Sequence, residues 1–281
     1  MKDLPIRILV AAALLGLLAL VLFFGGWVQA AVLGLFCCLS VFEMRSVFRA
    51  KELDPFVIPQ AVLGAALFIL MFLLGNGWVL AAFMLAFLAV AIERIFNKKR
   101  TNDDVLASLV ILLYPILPFA FLGLVGFETG AASLSRLALL CIFAGVCMAD
   151  NGAYLVGSLM GKHKLCPVIS PNKTVEGAIG GLVGGALGGV IAYFAQFIWT
   201  GSRIIPMPAV IVICFLAGLV GQFGDLFAST FKRWAGIKDF SHIFPCHGGI
   251  IDRLDSALFA APLVYFAIRL IESGALGFLG L

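Results

Sequence analysis

The chain has 281 residues, of which 63% are hydrophobic and only 12% charged, with a formal net charge of +4. A soluble domain carries about a quarter charged residues, so this balance and a mean hydropathy of +1.13 exclude a water-soluble globular fold and point to an integral membrane protein. The 7 cysteines are odd in number and form no C-x-x-C pair, so neither a disulfide framework nor a zinc site is expected.

Apolar runs of about 20 residues can cross a bilayer. They predict an all-α, polytopic membrane protein of about nine transmembrane helices, over 6–24, 28–42, 56–74, 78–92, 105–125, 137–154, 175–199, 211–227 and 256–271. The first run has a small basic flank like a secretory signal, but its apolar stretch is longer than a signal core, so it reads as a retained span. With the N-terminus in the cytoplasm, only Arg136, Arg203 and Arg269 fall on the outer side, and the remaining basic residues of the 19 fall inside. That asymmetry is what orients membrane proteins. By sequence order the chain divides into 1–104, holding the first four helices, and 105–281, holding the rest together with the polar segment 229–255. The seventh run carries two glycine ridges, Gly177, Gly181, Gly185 and Gly189 beside Gly180, Gly184 and Gly188, a pattern that predicts close helix packing.

Against this background the segment STFKRWAGIKDFSHIFPCHGGIIDRLD, from Ser229 to Asp255, stands out by its charge. Asp225 lies just before it. If helix continues, Ser229, Lys232 and Arg233 follow at i+4, i+7 and i+8 and share its face. Asp252 and Asp255 sit at i, i+3, and two carboxylates on one face repel unless a cation lies between them. Oxygen ligands suit a hard ion such as Mg²⁺, while helix capping is the alternative for either one. Pro245, Gly248 and Gly249 allow a tight turn whose N–H groups can gather around an anion at a helix start, and Lys232, Arg233, Lys238 and Arg253 add positive charge. A phosphorylated ligand with a bound metal is the consistent reading. Ser170 ahead of Pro171 predicts an N-cap with Pro at the first helical position, which places Lys173 in a helix's first turn. Asp150, costly if it faces lipid, is expected to face a polar cavity. No pattern for nucleophilic catalysis or a P-loop is present, and the adjacent Cys246 and His247 lack the geometry of a catalytic pair.

The run S-T-F-K-R, K-D-F-S and P-C-H-G-G-I-I-D-R-L-D resembles the signature of the phosphatidate cytidylyltransferases, also called CDP-diacylglycerol synthases, nearly position for position over Ser229 to Asp255. The segments S-P-N-K-T-V-E-G at Ser170 to Gly177 and D-x-G-A-Y at Asp150 to Tyr154 are also similar, whereas the family usually has glycine where Cys246 stands. The resemblance implies transfer of a cytidylyl group from CTP to phosphatidate with release of pyrophosphate. It also implies a Mg²⁺ site built on Asp225 and Asp252, a second cation such as K⁺, and a homodimer. Asp255 and Asp150 are then expected as supporting carboxylates, and Lys173, Lys232, Arg233, Lys238, His247 and Arg253 as phosphate contacts. Ser229, Asp239, Gly248 and Gly249 complete the expected substrate-binding set. The expected setting is the bacterial inner membrane, with membrane lipids around the protein, the site facing the cytoplasm and no nucleic-acid partner. A CTP-dependent lipid kinase is the alternative enzyme. A transporter fits less well, because the charges gather at one end of the spans rather than at the midplane.

Overall fold

The structure, a computed structural model, describes residues 4–127, 132–202, 204–245 and 247–274. Long apolar runs satisfy their backbone groups internally only as helices. Accordingly the chain forms α1 (Leu4–Phe24), α2 (Gly26–Arg49), α3 (Ile58–Leu74), α4 (Val79–Phe96), α5 (Asn102–Ile111), α6 (Leu117–Phe127), α7 (Ala132–Met160), α8 (Val175–Thr200), α9 (Met207–Ala235) and α10 (Ile251–Glu272). Among the described residues 7 helical stretches are long and apolar enough to cross a membrane, α5 and α6 counting as one. With the shorter apolar helices over Ile8–Phe24 and Ile58–Leu74, they are consistent with the expected all-α polytopic membrane protein. The fifth predicted run is not one straight rod. Tyr114 leaves helical geometry (φ −150°, ψ 114°) ahead of Pro115, whose missing N–H and ring clash break the ladder.

One element was not anticipated: a two-stranded antiparallel hairpin, β1 (Lys164–Cys166) with β2 (Ser170–Thr174). Lys164 pairs with Thr174 and Cys166 with Ser170. Ser170 is therefore a strand residue and not the N-cap of α8. Thr174 caps instead, in extended geometry, with its hydroxyl accepting from Gly177 N. Ser-Pro reads alike at a helix start and at the edge of a hairpin, where Pro171 gives up no needed ladder bond.

By packing, the chain forms two compact units, Met1–Gly123 with Phe231–Leu254, and Leu124–Thr230 with Asp255–Leu281. These group residues by contact, whereas the sequence reading divides the chain by order at 104/105. In the first unit α2 packs on α3 through glycine: an added Cβ on Gly34 would lie 2.9 Å from Ala65 O. The interior is filled by Met44, Leu67, Phe68, Ile111 and Ile116. The loop between α2 and α3 is tied to the start of α5. Asp54 N donates to Asp104 Oδ1, and Phe56 N donates to Ser108 Oγ. Thr101 and Asp104 form a capping box.

In the second unit the glycine ridges of α8 pack against both α7 and α9. Added Cβ atoms on Gly180, Gly184 and Gly188 would strike α7 at Val156, Met148 O and Ala144 O, while those on Gly185 and Gly189 would strike α9 at Cys214 O and Ile211 Cα. Small residues on both faces let α8 sit between its neighbours at backbone contact.

Candidate functional site

Within the first unit the polar signature folds around one carboxylate. α9 ends at Ala235, and Gly236 follows with a φ of +73° that suits the left-handed turn that closes a helix. The chain then returns to the start of α10, bringing Asp252 onto groups well before it in sequence. Asp252 Oδ1 accepts from Lys232 Nζ at 2.8 Å, and Oδ2 accepts from Phe240 N at 2.8 Å and Gly249 N at 2.9 Å. The Asp252 side chain is 3% exposed and that of Lys232 11%, and the ammonium also lies 5.5 Å from the Phe240 ring centroid. Gly248 has φ +79° and bridges back to Phe244, and an added Cβ there would lie 2.7 Å from Asp252 Oδ2. His247 N donates to Phe244 O, and its ring nitrogen Nδ1 lies 3.4 Å from Pro245 O. Arg233, Lys238 and Arg253 are exposed and Asp239 is half-buried. Cys246 lies outside the described residues.

The tight turn does gather N–H groups around an anion, as its glycines predict, but the anions here are the protein's own. Besides Asp252, these include Glu43 of α2, which the sequence reading passed over. Glu43 is 3% exposed and accepts from Ile250 N, Ile251 N and the Ser241 hydroxyl. A lone carboxylate at the end of an apolar run resembles an ordinary interfacial charge. The usable signal was its position inside a helix where ionisable groups are costly.

Within the second unit, α9 continues helical through Asp225 and Ser229, and Ser229 is buried. Lys173, one residue before the Thr174 cap, forms an ion pair with Asp225, the side chains being 28% and 32% exposed. Lys173, expected from the sequence in a helix's first turn, therefore lies on the hairpin and beside Asp225. Glu176, in the first turn of α8, ties down the approach to the hairpin by accepting from Lys162 N and His163 N and bonding the His163 ring. Asp255 is buried and accepts from Ser256 N at 2.7 Å. Asp150 is exposed on α7.

Among the described residues no group of three or more His, Cys, Asp and Glu forms a metal cage. Mg²⁺ does not require one, since it commonly takes one or two carboxylates and completes its shell with substrate phosphates and water. The carboxylate oxygens of Asp225 and Asp252 are hard donors of the type Mg²⁺ takes, and each carboxylate here holds a lysine ammonium.

A model of the cytidylyltransferase family matches residues 5–271. The chain is 44% identical over 130 residues to a phosphatidate cytidylyltransferase of Staphylococcus haemolyticus, covering 45% of this chain and 46% of the relative. It is 40% identical over 161 residues to that of Staphylococcus saprophyticus, covering 57% and 58%. With that of Staphylococcus aureus the identity is 43% over 151 residues, covering 52% and 53%. The match thus spans about half the length of these curated relatives.

Proposed function

Because the chain belongs to the cytidylyltransferase family, we propose that it is a CTP:phosphatidate cytidylyltransferase that forms CDP-diacylglycerol and pyrophosphate. The observation that carries this reading is the signature from Ser229 to Asp255, whose Arg233, Lys238 and Arg253 are exposed and so can meet an anionic ligand. A phosphatidate oxygen attacks the α-phosphorus of CTP, the new P–O bond forms, and the bond to the β-phosphate breaks with its electron pair leaving on pyrophosphate. The nucleophile is already an anion, so the protein's task is to orient the reactants and neutralise charge.

Asp225 and Asp252 would hold Mg²⁺ as carboxylate ligands, and the ion would supply charge neutralisation at the phosphates. A second cation such as K⁺ belongs to the same proposal. Lys173 and Lys232 hold the two aspartates in their present positions and offer ammonium groups to phosphate oxygens. Arg233, Lys238 and Arg253 are free of deep burial and can reach anionic ligands from water. His247 is proposed to contact phosphate. Asp150 and Asp255 are proposed as supporting carboxylates, and Ser229, Asp239, Gly248 and Gly249 as shaping the substrate site. The protein is proposed to act as a homodimer in a bacterial inner membrane, where the lipid substrate stays in the bilayer and CTP arrives from the cytoplasm.

Product analysis tests the reading. Purified protein given CTP, phosphatidate and Mg²⁺ should release pyrophosphate only when lipid is present. Release of CDP instead would assign it to lipid phosphorylation.

A further inference from the structure

We infer that Glu43 is a positioning residue for the reaction proposed above, its carboxylate clamping the signature turn and the first turn of α10 from the neighbouring helix α2. The inference rests on that proposed reaction for its kinetic consequences, but the clamp itself rests on geometry alone.

Four backbone N–H groups around the turn are divided between two carboxylates. Asp252 takes those of Phe240 and Gly249. Glu43 takes those of Ile250 at 2.8 Å and Ile251 at 2.9 Å, and adds the Ser241 hydroxyl at 2.6 Å. Ile251 opens α10 and Ile250 stands just before it, so Glu43 does from another helix what a local cap does: it satisfies orphan N–H groups and places negative charge at the helix's positive end. A buried carboxylate is tolerated only when so bonded, and these donors account for its burial.

The two glycines of the turn separate on the same ground. Gly248 needs its left-handed backbone, with φ +79°. Gly249 has no such conformation, yet an added Cβ there would run into Glu43 Oε1 and lie 2.8 Å from Ser241 Oγ. The glycine at 249 is therefore a space requirement set by a carboxylate more than two hundred positions earlier. Since Asp252 holds Gly249 N and Lys232, a shift of the turn released by Glu43 moves the Asp252 carboxylate and its ammonium partner together. Positional errors of this kind fall on turnover and on nucleotide binding.

The test uses the full-length protein in detergent with Glu43→Gln, Glu43→Asp, Glu43→Ala, Gly249→Ala and Glu43→Ala/Gly249→Ala. Hydrogen exchange over 240–251, read by mass spectrometry, should accelerate by at least about tenfold in Glu43→Gln while α8 stays protected. In lipid-dependent pyrophosphate release, kcat/KM for CTP should fall at least about tenfold, with part of the loss in KM. Mere loss of folded protein would lower kcat alone. Glu43→Asp, which keeps the charge, should recover part of the loss. Gly249→Ala should be damaging beside Glu43 and add little in Glu43→Ala, a non-additive pair. Unchanged exchange over 240–251, an unchanged KM, or fully multiplicative losses would each overturn the inference. If the wild-type protein releases no pyrophosphate, the reaction reading falls, and the exchange arm alone then supports or overturns the clamp.

Discussion

Asp252→Asn and Asp225→Asn should separate cleanly in stability although both remove one carboxylate charge. Asn keeps the shape of Asp252 but replaces one oxygen with an NH₂ donor, which then faces either the Lys232 ammonium or the N–H groups of Phe240 and Gly249. With side chains 3% and 11% exposed, this is a buried pair, and breaking such a pair costs about 3–5 kcal/mol. Counting instead two lost hydrogen bonds to a charged group, at about 1.5–3 kcal/mol each, gives about 3–6 kcal/mol, an overlapping range. The Asp225 pair with Lys173 is about a third exposed on both sides, and pairs of that kind contribute about 0–1 kcal/mol. Thermal unfolding in detergent should therefore show a large drop for Asp252→Asn and a small one for Asp225→Asn. Pyrophosphate release should fall at least about 10²-fold in both, the scale of one strong electrostatic contact at a reacting phosphate. Equal melting temperatures for the two variants would refute the reasoning.

Gly184→Ala should destabilise the second unit by about 1–3 kcal/mol, the usual cost of overpacking, because the new Cβ would run into Met148 O of α7; an unchanged melting temperature would contradict the packing described for α8. In the first unit, burial raises the Asp54 carboxyl pKa, but Arg49, Arg100 and Arg45 outweigh it and hold the group below the usual carboxylate range. Its stabilising contribution is thus present above the unfolded value of about 3.9 and disappears as pH falls through the lower folded value. Asp54→Asn should remove that part of the acid sensitivity, as read by melting temperature against pH. For topology, cysteine probes near Lys98 and Lys164 in a background lacking native cysteines should label from the cytoplasm only, and a probe near Arg203 from outside only. The opposite pattern at Lys164 would contradict a site open to cytoplasmic CTP.

The helices were legible because apolar runs in this chain have few alternatives, and the glycine ridges of α8 were legible because a four-residue spacing survives directly as a packing face. The hairpin was not: three- and five-residue strands carry too little alternation to signal a period, and Ser170-Pro171 mimicked a helix start. Lys173 and Asp225 were each picked out, but their pairing joins a strand to a distant helix, and spacing along the chain says nothing about it. Glu43 was missed for the same reason, since all of its partners lie near residue 250. The signature's glycines were recognised as turn-formers, yet only the structure assigns Gly248 to backbone conformation and Gly249 to the space a carboxylate occupies.

The central claim is cytidylyl transfer to a lipid phosphate, and the most direct test follows the label from CTP carried on either the α- or the γ-phosphate. With phosphatidate and Mg²⁺ present, the α-label should enter the lipid and the γ-label should leave in pyrophosphate, in equal amounts. Transfer of the γ-label to lipid, or turnover of CTP that does not depend on phosphatidate, would contradict the account.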